Sequence, residues 1–386
     1  MSEQEFDIAI LGGGPVGSAL ALLLARATPR PGRIVLLQSD SSSLYGHAPA
    51  ADPRVLALNQ GSRVMLESIG GWPGEAAPIR TIHVSQRGRL GRTIIRNTDF
   101  GVPQLGCVVR YADLHASLAH ALAASGVRIM TGPAARIDSQ DAHGVTLSQG
   151  DLRLRARIAV QADGSPAGPP RREYRQMALI TTARSSQPRD GWAFERFTQE
   201  GPLAVLPHPE GGGLQSIVWC SAPEHAQALR ALAPEAFSEA LTQTFGTRLG
   251  SLTIEAPVAA FPLALNLRKQ ATDGRVVAIG NALQTLHPVA GQGLNLGLRD
   301  TATLAAALRQ WLAEPGADPA GALLQFERQR RPDRTLTAGL TDFMSRGLAT
   351  RCSVVEHAGG LALLALDLSP SLRAPLARHL LQGLRF

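Results

Sequence analysis

The chain has 386 residues, of which 44% are hydrophobic and 18% charged. This composition is typical of a packed globular protein and excludes a disordered one, and the length indicates two domains or one large domain with an insertion. The formal net charge is +7, but no dense Lys/Arg run is interleaved with aromatic residues, so a nucleic-acid partner is not expected.

The cysteines and the N-terminus bear on the compartment. Cys107, Cys220 and Cys352 are too widely spaced for a disulfide framework or a paired-cysteine metal site. The acidic N-terminus lacks the basic start and apolar core of a signal peptide, and no apolar run reaches the ~18–20 residues of a membrane span. We therefore predict a cytoplasmic protein without a metal. Its positive charge comes mainly from arginine. Either this follows from the base composition of the coding genome, or the charge attracts the protein to an anionic membrane surface or an anionic cofactor.

The first elements alternate between strand and helix. The patterns predict a strand at Phe6–Leu11, a glycine-rich turn, a helix at Val16–Arg26 and a buried strand at Ile34–Leu37. Such a β-α-β unit begins a parallel sheet with a right-handed crossover. Further helices are predicted at Gln60–Ile69 and Tyr111–Ser125, and further strands at Thr81–Ser85, Thr93–Ile95 and Val127–Thr131. The segments Ala134–Ser148 and Leu152–Gln161 are predicted to form a β-meander that leads back to the sheet.

After residue 165 the pattern changes to an antiparallel sheet with one helix. Its predicted elements are strands at Gln176–Ala183, Trp192–Thr198, Leu203–Leu206 and Leu214–Cys220 and a helix at Ala231–Phe245. The strand Arg275–Ile279 and the helix Leu294–Leu312 then resume the first pattern, and the rest is helical, with breaks at Pro370 and Pro375. The sequence thus predicts an α/β fold with a discontinuous first domain (1–165 and 271–335), an inserted domain (166–270) and a helical C-terminal region (336–386).

A glycine-rich turn follows the first strand and has the sequence Gly12-Gly13-Gly14-Pro15-Val16-Gly17. Within a G-x-G-x-x-G motif, the first glycine permits the tight turn, the second lets a pyrophosphate approach the backbone, and the third lets helix and strand pack closely. The phosphate then lies at the helix N-terminus, which favours anions. The ribose-binding position at the end of the second strand is Gln38 instead of the usual acid; Asp40 is an alternative, but a loop role suits it better.

A second glycine-rich string runs from Gly280 to Asp300 and contains His287-Pro288-Val289-Ala290-Gly291-Gln292-Gly293-Leu294-Asn295. Its glycines expose backbone N–H groups to a ligand, and a helix beginning near Leu294 directs its positive end there. A reduced flavin, which is negatively charged near N1, would be stabilised in that place.

At this string the chain resembles the class A flavoprotein monooxygenases, which have the para-hydroxybenzoate hydroxylase-like fold, and in particular the UbiH-type hydroxylases of ubiquinone biosynthesis. The match is closest from Thr285 to Asp300. It is extended by the stretches Asp52–Leu58, Leu105–Arg110, Ala162–Gly164, Gly201–Pro207 and Phe261–Leu263, which together cover nearly the whole chain. The resemblance implies a Rossmann-like FAD-binding domain, an inserted antiparallel β-sheet substrate domain and a helical C-terminal region.

The resemblance also implies positions for FAD, although it assigns no catalytic residue. The pyrophosphate would lie at Gly12, Gly14, Pro15, Val16 and Gly17, and a ribose at Gln38. Arg54 and Arg110 match flavin-contacting arginines, Asp163 and Gly164 match the middle motif, and Gly280 and Asn281 match a Gly-Asp pair near the pyrophosphate and ribityl chain. The isoalloxazine would lie against Pro288, Gly291, Gln292, Gly293, Leu294 and Asn295.

The implied reaction is hydroxylation of a phenolic ring, with NAD(P)H as the reductant of FAD and dioxygen as the source of the new oxygen atom. The implied substrate is a polyprenylated phenol, which favours a hydrophobic channel and contact with the inner membrane or with a ubiquinone-biosynthesis complex. Gly359–Leu368 is a candidate contact surface, although a core helix is the simpler interpretation of this apolar stretch.

Departures from the family motifs keep two alternatives open. Gln38 and Asn281 replace two carboxylates, and Gln284 replaces a histidine. A non-catalytic scaffold within a quinone-synthesis complex would tolerate the loss of these groups. A hydroxylase of a small soluble aromatic acid would instead have a closed polar pocket with a carboxylate-binding arginine. His287 is expected to contact either the substrate or a local partner, and His208 is expected at a surface or turn.

Overall fold

The computed structural model describes residues 4–40, 52–164, 172–349 and 352–382. The strands, in chain order, are β1 (Gln4–Leu11), β2 (Ile34–Ser39), β3 (Val55–Asn59), β4 (Ala77–Ile79), β5 (Thr81–Gln86), β6 (Arg92–Arg96), β7 (Gly106–Arg110), β8 (Arg128–Gly132), β9 (Arg136–Gln140), β10 (Val145–Gln149), β11 (Leu152–Gln161), β12 (Arg172–Ser185), β13 (Trp192–Phe197), β14 (Pro202–Pro207), β15 (Leu214–Ser221), β16 (Leu252–Ile254), β17 (Ala259–Leu267), β18 (Thr272–Asp273), β19 (Val276–Ala278) and β20 (Gln284–Thr285). The helices are α1 (Pro15–Ala27), α2 (Gln60–Ser68), α3 (Tyr111–Ala123), α4 (Pro223–Arg230), α5 (Pro234–Phe245), α6 (Gln292–Leu308), α7 (Ala320–Gly347), α8 (Ser353–Leu368) and α9 (Pro370–Gln382).

The first sheet has the strand order β18-β19-β11-β1-β2-β8, with β10 and β9 added beside β11. Its central strands β19, β11, β1 and β2 are parallel to one another, so their carboxyl ends meet at one edge. β1 is buried on both faces because it lies in the middle of the sheet, with Ile8 and Ile10 in the core shared with α1. This discontinuous α/β unit agrees with the predicted fold.

The second sheet has the order β20-β17-β12-β15-β14-β13-β5-β6, with β16 beside β12. One face packs against α5 through a core that includes Trp219, Phe237 and Phe245. The sheet is antiparallel except where β13 lies parallel to β5. Two of its strands, β5 and β6, come from the part of the chain before residue 165. The predicted boundary at 165/166 lies between residues 164 and 172, outside the described residues.

A small third sheet, β3-β7-β4, lies between these two units, and the C-terminal helices cover one side. α8 packs one face against β5 and β6: Thr93 Oγ1 donates to the carbonyl of Leu363, and the backbone N–H of Ile94 donates to Asp367. The opposite face of α8 is exposed at Val354, Leu361 and Leu368, so this apolar helix lies at the surface.

Proline accounts for two differences from the predicted elements. The predicted helix Ala231–Phe245 begins only at Pro234, and a separate helix, α4, precedes it. Proline fits the first helical turn, where its missing N–H has no intrahelical partner. The predicted break at Pro375 is wrong, because α9 continues through it, and α7 likewise continues through Pro332. Each proline removes one backbone hydrogen bond, and tertiary contacts hold both helices.

Candidate functional site

Four of the predicted segments lie at the carboxyl edge of the first sheet. Gly12 follows β1, Gln38 is near the end of β2, Asp163 and Gly164 follow β11, and Gly280 follows β19. Because the four strands are parallel, these loops converge where open α/β sheets bind their ligands. Asn281 follows Gly280 in the same loop.

Of the three glycines of the G-x-G-x-x-G motif, one faces open space and two are in tight contact. A Cβ atom added to Gly14 would meet no heavy atom within 4 Å, whereas one added to Gly17 would clash with the carbonyl oxygen of Gly12. Gly12 has φ +111°, and its added Cβ would lie 2.5 Å from the Cα of Asp163. Gly14 is the N-cap of α1, no side chain caps that helix, and its first turn contains no acid. The open position at the positive end of α1 therefore suits a phosphate.

The two glycine-rich segments are in direct contact. Cβ atoms added to Gly280 and Gly297 would lie 3.1 and 2.8 Å from the side chain of Val16, so α6 packs against the start of α1. The backbone N–H of Gly280 donates to Asp300 Oδ2 (3.1 Å), which also accepts from Gln284 Nε2 (2.6 Å). Asp300 thus fixes the second segment beside the first.

The three amides that depart from the family motifs, two replacing carboxylates and one replacing a histidine, differ in their surroundings. The side chain of Gln38 lies against the first turn, 2.5 Å from a Cβ built on Gly13, at the expected ribose position. Asn281 is half-buried, and its carbonyl accepts from Thr285 Oγ1 (3.3 Å). Gln284 is buried, and its Oε1 accepts from Arg334 Nε (2.8 Å), so this replacement belongs to a structural hydrogen-bond network.

Arg54 and Arg110 are neighbours at one end of the β3–β7 pair. The carbonyl of Arg54 accepts from the backbone N–H of Tyr111 (3.0 Å), and the Arg54 guanidinium lies 4.5 Å from the Tyr111 ring centroid. Arg54 pairs with Asp52, and Arg110 pairs with Asp113, Glu75 and Glu210. Both predicted flavin contacts are therefore already neutralised by carboxylates.

The segment Pro288–Asn295 combines left-handed backbone with buried amides. Ala290 and Gly291 have φ +58° and +59°, and a Cβ added to Gly293 would meet nothing within 4 Å. Asn295 is 2% exposed and holds this segment to β3: its Nδ2 donates to Ala57 O (2.9 Å), and its Oδ1 accepts from Asn59 N (2.9 Å). The Asn295 side chain therefore positions the segment, while the open backbone at Gly293 is available to a ligand.

The two histidines singled out from the sequence are both buried. His287 accepts at Nδ1 from the backbone N–H of Val289 (3.2 Å), so its Nε2 carries the proton and donates to Gln176 Oε1 (3.0 Å). Burial lowers the pKa of His287 to about 4, which keeps it neutral, and its local partners match the second of the two expectations. His208 lies in a turn, the second of its two expected positions, and it is only 6% exposed.

The second sheet presents a half-open apolar face away from α4 and α5. Neighbouring residues on adjacent strands pair in the order Ile180–Val218–Ala204–Glu195–Val84. These five residues, which we call the cross-strand row, are half-buried, whereas the alternate residues Leu203 and Ile217 are fully buried under the helices. Within this row, Glu195 alone carries a charge.

Glu195 connects this face with the Pro288–Asn295 segment. Its carboxylate accepts a hydrogen bond from the backbone N–H of Ala290, and the next inward residue on β13, Phe197, packs against Val289. Burial raises the pKa of Glu195 to about 7, and the hydrogen bond from Ala290 opposes that shift. Sequence reasoning missed this residue; the signal was an acid between Ala193 and Phe197 in a strand of alternating pattern.

In residues 4–40, 52–164, 172–349 and 352–382, His, Cys, Asp and Glu side chains form no group able to hold a metal ion. Across the same ranges, no helix is both long and apolar enough to cross a membrane. The open backbone at Gly14 and Gly293, each near the positive end of a helix, fits an extended anionic dinucleotide such as FAD.

Comparison with known proteins agrees with this geometry. The family model described as "FAD binding domain" matches residues 5–337. The chain is 33% identical to ubiquinone hydroxylase UbiL of Rhodospirillum rubrum, covering 100% of this chain and 91% of that protein. It is 26% identical to the 3-demethoxyubiquinol 3-hydroxylase of Escherichia coli, covering 95% of this chain and 96% of that protein.

Among solved structures, p-nitrophenol 4-monooxygenase PnpA of Pseudomonas putida superposes with a TM-score of 0.78 at 16% identity over the full length of both chains. The PqsL structure of Pseudomonas aeruginosa, titled a probable FAD-dependent monooxygenase, gives a TM-score of 0.72 at 19% identity over 93% of this chain and all of that one. At these identities the structures show a common fold. The family model and the relatives identify the chain as a member of the FAD-binding monooxygenase family that includes the ubiquinone hydroxylases.

Proposed function

We propose that this protein hydroxylates the aromatic ring of a polyprenylated phenol in ubiquinone biosynthesis. The observation that carries the proposal is the half-open apolar face of the second sheet, opposite the Pro288–Asn295 segment. An apolar surface that is only half-buried favours the binding of a hydrophobic ligand. The names of the relatives from Rhodospirillum rubrum and Escherichia coli support the same class of substrate.

Different residues of the site bind the cofactor and the aromatic ring. Gly12, Gly14 and Gly17 bring the backbone to the FAD pyrophosphate, and the Pro288–Asn295 segment lies against the isoalloxazine. FAD, reduced by NAD(P)H, supplies the activated oxygen from O2, and the second oxygen atom leaves as water. The protein orients the ring near the flavin and keeps bulk water away.

The apolar row separates this proposal from hydroxylation of a small soluble acid. Such an acid requires a fixed cation for its carboxylate, but Ile180, Val218 and Ala204 offer none. Arg196, on the same strand as Glu195, lies on the opposite face, where its Nε donates to the carbonyl of Thr244 in α5. The row therefore favours a prenyl tail over a carboxylate.

We also propose peripheral contact with the inner membrane or with a ubiquinone-biosynthesis complex, since a prenylated substrate resides in lipid. Two surfaces support this contact. The outer face of α8 exposes Val354, Leu361 and Leu368, and a groove of about 630 Å³ on α7 is lined in part by Leu336 and Phe343.

The proposed function is tested with the purified protein and added FAD. We expect a flavin absorbance spectrum that NAD(P)H bleaches and, with a geranylated phenol and O2, a product carrying one extra oxygen atom by mass spectrometry. A protein that stays colourless in excess FAD would support the scaffold alternative. Efficient turnover of 4-hydroxybenzoate without turnover of the geranylated phenol would instead support the soluble-acid alternative.

A further inference from the structure

We propose that Glu195 is the base that removes the proton from the phenolic hydroxyl of the substrate, with the tail lying along Ala204, Val218 and Ile180. This inference rests on the proposed function and names the residue that activates the ring. It assigns a chemical role to a side chain that none of the cofactor motifs contains.

The cross-strand row sets the orientation in which the substrate would bind. Neighbouring strands are separated by ~4.8 Å, so Ile180 lies about 14 Å from Glu195 across the sheet. That distance holds a phenol ring followed by the first isoprene units. Because Glu195 supplies the charge in an otherwise apolar row, the hydroxyl is the part of the substrate that it would bind.

The backbone of Ala290 connects Glu195 with the flavin side of the site. Ala290 is a non-glycine residue at φ +58°, a sparsely populated conformation that tends to occur at functional sites. Its N–H donates to the Glu195 carboxylate from within the Pro288–Asn295 segment, which would lie against the isoalloxazine of bound FAD. A carboxylate has two oxygens with about four lone-pair sites, so one oxygen can hold Ala290 while the other accepts from the substrate.

The proton transfer is balanced within the site. The phenol O–H bond breaks, the proton moves to a Glu195 oxygen, and the electron pair stays on the phenolate, which enriches the ring for attack by the activated oxygen. After hydroxylation, the ring carbon loses its hydrogen as a proton to water, and Glu195 returns its own proton to the product phenolate.

The surroundings of Glu195 suit this role. A base is most effective when its pKa lies near the working pH, and burial places the pKa of Glu195 at about 7. In the described part of the chain, the titratable group that interacts with Glu195 is the Cys220 thiol. Its pKa is raised, by burial first and by the charge of Glu195 second, so it stays neutral. The facing neighbours Val84, Ala204 and Ala290 carry no titratable group.

The first test compares Glu195→Gln with Glu239→Gln, which changes the same group on the exposed side of α5. Glutamine keeps an oxygen for Ala290 but accepts no proton. We expect Glu195→Gln to keep its flavin spectrum and to form about 100-fold less hydroxylated product per NAD(P)H oxidised. Glu239→Gln should match the wild type. Equal product yields in the two variants would overturn the assignment of Glu195 as the base.

The second test measures the affinity of the FAD-loaded protein for a geranylated phenol by flavin fluorescence, without NAD(P)H. In the wild type, affinity should rise several-fold as pH passes about 7, because the phenol hydroxyl donates a charge-assisted hydrogen bond to Glu195 only when that carboxylate is ionised. In Glu195→Gln, affinity should stay constant across this pH range. The same pH dependence in both proteins would refute the assignment.

The two tests separate this inference from the proposed function. If the wild type hydroxylates the phenol but Glu195→Gln behaves identically, the base assignment fails and the function stands. If Glu195 controls the pH dependence of phenol binding but no product forms, the function fails and the base assignment stands. If the wild type neither binds nor hydroxylates the probe, both fail.

Discussion

Two glycines of the first turn, three residues apart, have opposite steric surroundings, and this contrast yields a matched pair of substitutions. Gly14→Ala adds a Cβ into open space at an ordinary backbone conformation (φ −71°, ψ 176°), so the apoprotein should keep its melting temperature. Because that space suits the FAD pyrophosphate, FAD affinity should fall tenfold or more, the loss of about 1.5–3 kcal/mol of charged hydrogen bonding.

Gly17→Ala is the counterpart, since its Cβ meets the carbonyl oxygen of Gly12. Backbone atoms cannot yield as a side chain can, so we expect a loss of about 1–3 kcal/mol of folding stability in the apoprotein. Thermal unfolding without FAD and flavin fluorescence titration distinguish the two effects. A large drop in the melting temperature of Gly14→Ala would mean that Gly14 is structural as well.

Gly14 and Gly17 could be predicted from the sequence because the features that define their roles are local. The strand, the turn and the helix that define them lie within one stretch of chain. Glu195 was missed because its importance comes from Ala290, 95 residues later, and no local pattern reveals which loop a strand will face. The role of Gln284 was hidden for the same reason, because its partners Asp300 and Arg334 lie on two different helices.

Helices α6 and α7 are joined by a buried network of charges that supports the site. Asp300 accepts from Gly280 and Gln284 and pairs with Arg330 (2.7 Å), and Asp333 pairs with Arg330 and Arg299. Asp300 and Asp333 are fully buried, so each depends on its partners for charge compensation. The network explains why α7 remains continuous through Pro332, whose neighbours Arg330 and Asp333 are anchored.

Removing the Asp300 charge should therefore be costly. In Asp300→Asn, the single side-chain oxygen can accept either from Arg330 or from Gly280 and Gln284 together, and Arg330 loses one of its charged partners. This should reduce stability by about 3–5 kcal/mol. Glu67→Gln, which breaks the exposed Arg63–Glu67 pair on α2, should change stability by less than about 1 kcal/mol. Urea unfolding monitored by circular dichroism compares the two. Similar losses in both variants would show that the Asp300 network contributes little.

For the whole molecule, chain order and spatial order differ, and this limited the prediction from sequence. The sequence indicated strands at Thr81–Ser85 and Thr93–Ile95 but not their partners, and they extend the second sheet through the parallel pairing of β5 with β13. As a result, the cross-strand row ends on Val84, from the first segment of the chain. Residues of the first predicted domain segment therefore contribute strands to the inserted domain's sheet and one residue to the cross-strand row.

The exposed apolar face of α8 predicts that the protein binds lipid membranes. The face carries Leu361 and Leu368, which are 66% and 75% exposed, and the chain has a formal net charge of +7. Apolar side chains beside a positive net charge favour an anionic lipid surface. We expect the protein to float with phosphatidylglycerol vesicles, less so at high salt, because screening weakens the attraction.

The variant Leu361→Ser/Leu368→Ser should bind those vesicles several-fold more weakly and keep its flavin spectrum, because both side chains project away from β5 and β6. Leu232→Ser, at the exposed turn between α4 and α5, is the matched control and should float like the wild type. If the double variant floats as well as the wild type while binding remains salt-sensitive, charge alone holds the protein to lipid. In that case the apolar face of α8 is left for a protein partner of the biosynthetic complex, and the same double variant would then be expected to lose that partner in co-purification.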